Sequence, residues 1–438
     1  MFSSASECAR ALRQITSHSA LLRQDKHVYS DILSEATPFV ASMSPTELRT
    51  VSKSILIIHR KFGLNLNNYL FKLINKQLNQ FLNNHEIIAR HDIVSSMSSL
   101  SRIHRQVGDG GPPALRPDTV WTFAHSPSWR PCWQSPKSVM DKSELLSVMS
   151  RLNLKPFSHL IFSNEALSTD VEPSAIFFSK NDITDLREEG KRGNGRLIGS
   201  LYAMSKLDLF PSPVIDQLVG LVPSKIEDLS PMELGNALHA IGTIISLTKK
   251  PTESFEILTQ KLFKRIERKR HELPLSVVNQ VGLIHYAVPG LLEGGFIDEV
   301  IRICESDKSI NEVKSSKAQK SVARALDSLG LSDLVQQEYA IGPFRIDFAI
   351  PQIKLLLEIN GPYHYYYKCV DHRTTKTRMK HKALSQQGFT IIEIDFSDMK
   401  EESNRVALLD RRIRAALGID EKSRRSLKSE ISSIVSRS

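Results

Sequence analysis

The stretch FRIDFAIPQIKLLLEIN, residues 344 to 360, decides the fold of the C-terminal part of the chain. Apolar and polar residues alternate in its first half, which is typical of a strand with one buried face. Its second half places three leucines before Glu358, and PQI joins the two halves. The pattern predicts a hairpin of two antiparallel strands.

One register of this hairpin places nearly all of its apolar residues on one face. The predicted facing pairs are Ile350 with Leu355, Phe348 with Leu357, Ile346 with Ile359, Ala349 with Leu356, Asp347 with Glu358, and Arg345 with Asn360. A slip of one residue would move every side chain to the other face, so the register is strongly specified. It also sets two carboxylates side by side, which is unfavourable unless a cation, a shared proton or a nearby base compensates.

The residues that follow are predicted to complete a small α/β domain. A Gly-Pro corner comes first, and a helix is expected from Thr374 to Gln387, ended by Gly388. A strand from Phe389 to Ile394 and a helix from about Asp398 to Leu417 close the domain.

The run RIDFAI…LLLEINGPYH…K…L…GFTIIEID resembles the RAP domain, which occurs in organellar RNA-binding proteins, over residues 335 to 400. The matching positions are Asp347, the run from Glu358 to Pro362, His364, Leu384, Gly388 and Phe389. The usual turn of the family is similar to Glu-Ile-Asp-Gly-Pro-x-His, and Asn360 replaces its second acid here. The resemblance implies RNA binding in mitochondria or plastids, for transcript processing, stability or translation, or for the handling of ribosomal RNA.

The resemblance also implies a fold similar to restriction-endonuclease-like domains. Those nucleases hold a divalent metal between an Asp and a Glu on adjacent strands, and a nearby Lys helps to position the attacking water. Asp347 and Glu358 match the two acids, whereas Asn360 stands where the Lys is usual. Asn supplies no positive charge, so we expect no catalytic residue, no metal and no cofactor.

A catalytic alternative stays open at this point. Lys354 or Lys376 could replace the missing Lys, and His364 could act as a general base. The protein would then be a metal-dependent endoribonuclease, with Asp347, Glu358 and His364 as catalytic residues and Mg²⁺ held by the two acids.

RNA contact is predicted for basic, polar and aromatic residues, because phosphates attract cations and unpaired bases stack on rings. The candidates in the C-terminal domain are Arg345, Asn360, Tyr363, His364, Lys368, Arg373, Lys376, Arg378, Lys380 and Lys382. The tyrosines around His364 have a second interpretation, in which their rings pack the edge of a small sheet.

The first three quarters of the chain repeat a helical pattern. Apolar residues recur at i, i+4 and i+7 with small residues between them, which is typical of closely packed helices. The units start at Leu48, Ile93, Leu145, Leu197, Leu234 and Val277. This spacing suits one helical hairpin per unit. We therefore predict an α-helical repeat, α-solenoid-like array followed by a small α/β restriction-endonuclease-like domain, with an irregular all-α domain as the alternative to the array.

The predicted boundaries follow from these patterns. They are residues 1–30 for a mitochondrial presequence or a first helix, 31–305 for the repeats, 104–140 for an insertion within them, 306–330 for a linker helix, 331–418 for the RAP domain and 419–438 for a basic Ser-rich tail. The insertion is rich in Pro and Gly and holds all three tryptophans, which either bind a partner or fold back on the array.

Charge favours a polyanionic partner. The chain carries 58 Lys and Arg against 48 Asp and Glu, a net charge of +10, and each neutralised phosphate releases counterions. In the array, Lys261, Lys264, Arg265 and Arg268 share one face of a predicted helix. They are candidate RNA contacts, although a solvated charged face is the commoner explanation of such a run.

Composition at the N-terminus indicates the compartment. Arg10, Arg13 and Arg23 are accompanied by only two acidic residues in the first 26 positions, as in mitochondrial presequences. We expect a mitochondrial matrix protein with no membrane span, and four widely spaced cysteines argue against a zinc ribbon or a disulfide framework.

Three functions are compatible with the sequence. The first is a non-catalytic RNA-binding protein whose partner is mitochondrial ribosomal RNA or mRNA, with mitochondrial ribosomal proteins as further partners. The second is the endoribonuclease described above. The third is a scaffold whose helical repeats bind proteins.

Overall fold

The chain divides into two units, Met1–Leu221 and Val222–Ser438, in a computed structural model. The structure describes residues 2–17, 26–62, 68–83, 90–104, 115–120, 139–154, 180–188, 190–210, 213–248, 253–306, 316–361, 364–366, 369–395, 398, 405–420 and 425–436.

The described part of the first unit is helical. Its helices are α1 (Ala5–Ser17), α2 (Lys26–Ala36), α3 (Pro45–Phe62), α4 (Asn68–Asn83), α5 (Arg90–His104), α6 (Val139–Arg151), α7 (Lys180–Glu188), α8 (Gly190–Lys206) and α9 (Pro213–Leu221). The predicted repeat starts Leu48, Ile93, Leu145 and Leu197 are buried on α3, α5, α6 and α8. These helices pack in that order, each against the next, so the predicted fold class is confirmed.

Polar contacts fix the helix starts and their pairing. Ser44 and Glu47 exchange hydrogen bonds at the start of α3, which satisfies backbone N–H groups that have no partner within the helix. Asp92, at the start of α5, accepts from Arg49 at 2.7 Å and from Thr46 at 2.6 Å. The two helices are therefore joined through their first turns as well as through their apolar faces.

The two N-terminal segments with open interpretations are described in part. Helix α1 buries Cys8 and Leu12 and packs on α3, as a first helix of the array would. Of the 104–140 insertion, residues 104, 115–120, 139 and 140 are described, and Leu115 and Val120 are buried there. The three tryptophans of the insertion lie outside the described residues.

The second unit combines helices with two sheets. Its helices are α10 (Pro231–Leu247), α11 (Glu253–Arg268), α12 (Leu275–Ala287), α13 (Gly295–Ser306), α14 (Lys317–Ser328), α15 (Thr375–Gln386), α16 (Arg405–Leu417) and α17 (Leu427–Val435). Its strands are β1 (Gln336–Ile341), β2 (Phe344–Ile350), β3 (Leu355–Asn360), β4 (Tyr365–Tyr366), β5 (Cys369–Arg373) and β6 (Thr390–Asp395). The last two predicted repeat starts, Leu234 and Val277, are buried on α10 and α12.

The main sheet has the strand order β1-β2-β3-β6. Strands β2 and β3 are antiparallel, and they pair Ile350 with Leu355, Ala349 with Leu356 and Phe348 with Leu357, as predicted. The ladder stops there, because the Asp347 carboxylate accepts the Ile359 N–H at 2.6 Å. Strand β6 runs parallel to β3. Strand β1 and the β4–β5 hairpin were not predicted, because they lack long apolar runs.

The apolar face of this sheet packs on one helix that precedes the sheet in the sequence and on two that follow it. One core joins Phe348, Ile350 and Leu357 to residues of α14, α16 and α17. Helix α14 lies in the predicted linker and α17 in the predicted tail, where Leu427 and Ile431 are buried. Both segments thus belong to the C-terminal domain, whose core is larger than the predicted 331–418.

The opposite face of the sheet is covered by α15, which also packs on α10 and α12. Met379 accepts from Thr243 at 3.0 Å across this contact. Nearby, Gly342 turns β1 into β2 with a φ of +51°, and a Cβ there would lie 2.5 Å from the Tyr286 ring. The sheet is therefore fitted closely to the last helical repeats.

Among the helices that the structure describes, none combines the length and the hydropathy that crossing a membrane requires.

Candidate nucleic-acid interface

Four carboxylates form a row across the main sheet. Glu358 pairs directly with Glu393 in the parallel β3–β6 ladder. Asp347 follows the pair of Phe348 with Leu357, and Glu338 lies opposite Asp347 between two paired positions of β1 and β2. Like charges on adjacent strands repel, so each acid of this row needs a compensating partner.

The partner of Glu358 is Lys380, from the inner side of α15. The Lys380 ammonium lies 2.6 Å from Glu358 Oε1 and also donates to the Arg345 carbonyl oxygen at 2.7 Å. Glu358 is only 3% exposed. Burial raises its pKa to about 7; the Lys380 ammonium opposes this rise and the Asp347 carboxylate adds to it. An unpaired charge here would be costly, so the ion pair is a structural requirement of the ionised form.

Asp347 is bound on both of its oxygens. Oδ2 accepts the Ile359 N–H, and Oδ1 accepts from Gln319 Nε2 at 2.6 Å. Gln319 also donates to Glu338, whose pKa is raised by burial and by the Asp347 carboxylate. One amide group from the first turn of α14 therefore bridges two acids of the row.

Glu393 is surrounded by donors from three elements. Its Oε1 accepts from Asn360 Nδ2 at 2.8 Å and from His381 Nε2 at 3.3 Å, and its Oε2 pairs with Arg373. Burial, together with the nearby cations Arg373 and Lys380, lowers the pKa of His381 to about 4. The ring is neutral at pH 7, so Arg373 supplies the positive charge beside Glu393.

The RAP family model matches residues 357–409, from the middle of β3 to α16. The C-terminal part of this chain is a RAP domain. RAP domains generally bind RNA. No curated protein matches the chain in a sequence comparison.

The cations of α15 point to the surface, to the sheet and to α10. Lys376 is exposed. Lys380 points at the sheet, and the Lys382 ammonium donates to the Ser246 carbonyl oxygen on α10. Arg378 is half-buried. The four residues that the sequence placed on or beside one helix thus form no single basic stripe.

Two of the predicted aromatic residues, Tyr365 and Tyr366, are used inside the RAP domain. Tyr365 is buried and donates to Asp395, while the Tyr366 hydroxyl accepts the Thr375 N–H at 3.2 Å. Both rings pack within the domain, as the second interpretation of the tyrosines expects. Tyr363 and Lys368, two predicted RNA contacts, lie outside the described residues.

His364 is held in a turn through its backbone. Its N–H donates to Gly361, and its carbonyl oxygen accepts from the Thr374 N–H and from Thr377. Burial lowers the pKa of its ring, and Lys380 lowers it further. His364 therefore lies beside the acid row as a neutral side chain at pH 7, near the exposed Lys376.

The remaining predicted contacts are in β2, in β5 and in the array. Arg345 is half-buried, and its backbone carbonyl takes part in the Lys380 contact. Arg373 keeps 35% of its side chain exposed beside Glu393. On α11, Lys261, Lys264 and Arg268 are exposed, whereas Arg265 pairs with Glu227 at 3.0 Å. RNA contact by each of these residues stays a prediction.

The residues present do not fit the divalent metal that the nuclease-like fold implies. Asp347 has a donor on each oxygen, and Glu358 holds an ammonium. In the ranges that the structure describes, no group of three or more His, Cys, Asp or Glu residues could hold a metal ion. Lys354, a suggested substitute for the missing Lys, lies at the start of β3 and donates to the Gln387 carbonyl oxygen at 3.4 Å.

Several partners of the acid row, among them Lys380, Gln319 and His381, were not recognised as such in the sequence. The sequence analysis predicts RNA contact for Lys380, because a basic helical sequence does not indicate which strand will pack beneath it. Gln319 was not assigned at all. Its helix was predicted as a linker, and only the tertiary structure brings its amide group to Asp347 and Glu338.

The raised pKa of Glu358 predicts how stability depends on pH. Because the pKa of the Glu358 carboxyl is about 7 in the folded protein and near the ordinary 4.5 in the unfolded chain, the folded form binds more protons between these values. The free energy of unfolding of the wild type should therefore fall relative to Glu358→Gln as pH rises from 5 to 8. The expected relative fall is on the order of 2 kcal/mol, measured by urea unfolding.

Glu256→Gln, at an exposed position on α11, controls for the loss of one carboxylate in the same unit. Stability curves of wild type and Glu358→Gln that stay parallel over this pH range would contradict the assignment.

Proposed function

We propose that this chain is a non-catalytic RNA-binding protein of the mitochondrial matrix. Its RNA is an organellar transcript or ribosomal RNA, and it acts as a component or assembly factor of the mitochondrial ribosome.

The observation that carries RNA binding is the RAP domain itself. The net charge of +10 supports a polyanionic partner. Within the RAP domain, His372 and Lys376 are exposed and Arg373 is partly exposed. These residues follow one another through the end of β5 and the first turn of α15, so a phosphate chain could contact them in sequence.

The absence of catalysis is supported by the way in which the acids are bound. Asn360 is completely buried, and it donates to Glu393 instead of supplying a positive charge. Asp347 and Glu358 are occupied by protein donors. A metal-assisted hydrolysis needs a bound cation and an oriented water, and these contacts favour neither.

The mitochondrial assignment is supported by the arginine-rich, acid-poor N-terminal composition. A role on ribosomal RNA is a more specific form of the same proposal, suggested by the occurrence of RAP domains in organellar proteins.

Lys376 tests the RAP surface directly. Lys376→Ala should weaken binding to a mixed-sequence single-stranded RNA and lower the slope of log K against log salt by about 0.7, the value for one phosphate contact. Lys354→Ala is the matched control, because Lys354 is an exposed lysine directly before β3, in the same domain. Fluorescence anisotropy across a salt series measures both. Equal salt slopes for the two variants would exclude Lys376 as a phosphate contact.

The α11 face has a control of identical spacing. Changing Lys261, Lys264 and Arg268 to Ala removes three exposed cations at i, i+3 and i+7, and Lys317, Lys320 and Arg324 on α14 are exposed at the same spacing. If α11 contacts RNA, its triple variant should lower the salt slope by about 2, while the α14 triple leaves it unchanged. Equal effects from both triples would show that only net charge matters.

The compartment and partner are tested by sedimentation. In a mitochondrial extract, the protein should move with ribosomal particles and shift to lighter fractions after ribonuclease treatment. Crosslinking that recovers no RNA would support the protein-binding scaffold instead, and a purified protein that cleaves RNA with Mg²⁺ would support the endoribonuclease.

A further inference from the structure

The Lys380 ammonium lies at a point where the protein gathers oxygen atoms from adjacent strands. Strand β3 supplies the Glu358 carboxylate at 2.6 Å, and strand β2 supplies the Arg345 carbonyl at 2.7 Å. Glu338 and His364 both lie within electrostatic reach of the same ammonium. Carboxylate and carbonyl oxygens are also the ligands that hard divalent cations prefer.

This ammonium is well shielded and is not a surface charge that happens to be near an acid. The Lys380 side chain is 16% exposed and that of Glu358 is 4% exposed. An ammonium is a compact point charge with three donors, so it can neutralise a buried carboxylate and bridge it to a carbonyl group at the same time. Its two contacts join β2 to β3 just beyond the last pair of their ladder, Phe348 with Leu357.

The rest of the acid pair is arranged to leave no vacancy for a second cation. Asp347 is bound by the Ile359 N–H and by Gln319. Asn360, at the position usual for the nuclease Lys, donates to Glu393. The positive charge therefore comes from Lys380 on α15, the helix that covers this face of the sheet.

We propose that Lys380 replaces the divalent cation of the nuclease-like fold, so that the Asp347–Glu358 pair binds no metal while this lysine is present. Lys380 is a positioning residue in this role: it neutralises Glu358 and fixes β2 against β3. The proposal concerns the acid row alone and does not depend on RNA binding.

The test is titration with Mn²⁺ alone on the full chain, with free Mn²⁺ measured by electron paramagnetic resonance. Wild type should show no site that is sensitive to Glu358→Gln. Lys380→Met keeps an unbranched side chain one atom shorter and removes its charge, so it should bind about one Mn²⁺ at roughly 10⁻⁴–10⁻³ M, as weak oxygen sites do. Lys380→Met combined with Glu358→Gln should lose this binding.

Thermal unfolding provides a second readout. Lys380→Met should unfold at a lower temperature than wild type, because Glu358 loses its buried partner. Mn²⁺ should raise the unfolding temperature of the variant and leave that of wild type unchanged, since a ligand stabilises only the state that binds it. If Lys380→Met fails to fold alone, Mn²⁺ should restore its folding, and Lys380→Gln repeats the titration with a neutral donor in place of the ammonium.

Two results would overturn the proposal. One is wild-type protein that binds Mn²⁺ at a site lost in Glu358→Gln, which would mean that the lysine does not exclude the metal. The other is a Lys380 variant, folded or unfolded, that neither binds Mn²⁺ nor is stabilised by it.

Discussion

The buried Glu358–Lys380 ion pair is the contact around which the C-terminal domain is organised. All residues of β3 are buried, because helices cover both faces of the sheet. A carboxylate on such a strand loses its hydration and needs a cation within hydrogen-bond distance. Lys380 meets this need from α15, which places that helix against the sheet at a fixed rotation.

The rotation of α15 decides which of its charged residues reach the surface. With Lys380 directed at Glu358, Met379 and Lys382 face α10, where Thr243 and Ser246 receive them. Lys376, near the start of the helix, is left exposed. A basic helix therefore presents few of its charges on the surface.

The acid row shows how four carboxylates on adjacent strands can be accommodated by donors of the protein itself. Repulsion among four carboxylates is offset by an ammonium, a guanidinium and two side-chain amide groups, each bound at a specific oxygen. The amide groups of Gln319 and Asn360 act as neutral hydrogen-bond donors to these carboxylates. The row then holds strands and helices together, since its partners come from α14, α15, β5 and β3.

The sequence by itself determined the helical repeats, the central hairpin and the RAP domain, because each depends on local periodicity or on a short run of neighbouring residues. The apolar alternation in β2 and the leucines of β3 fix the register through Phe348, and the left-handed Gly388 ends α15 where expected. Only the tertiary structure decided that Asp347 would bind the Ile359 N–H, that Lys380 would pair with Glu358, and that the linker and tail helices would enter the same core. These contacts join residues 12 to about 100 positions apart in the chain. The direction in which a charged side chain points depends on what packs against its helix, and no local pattern records that neighbour.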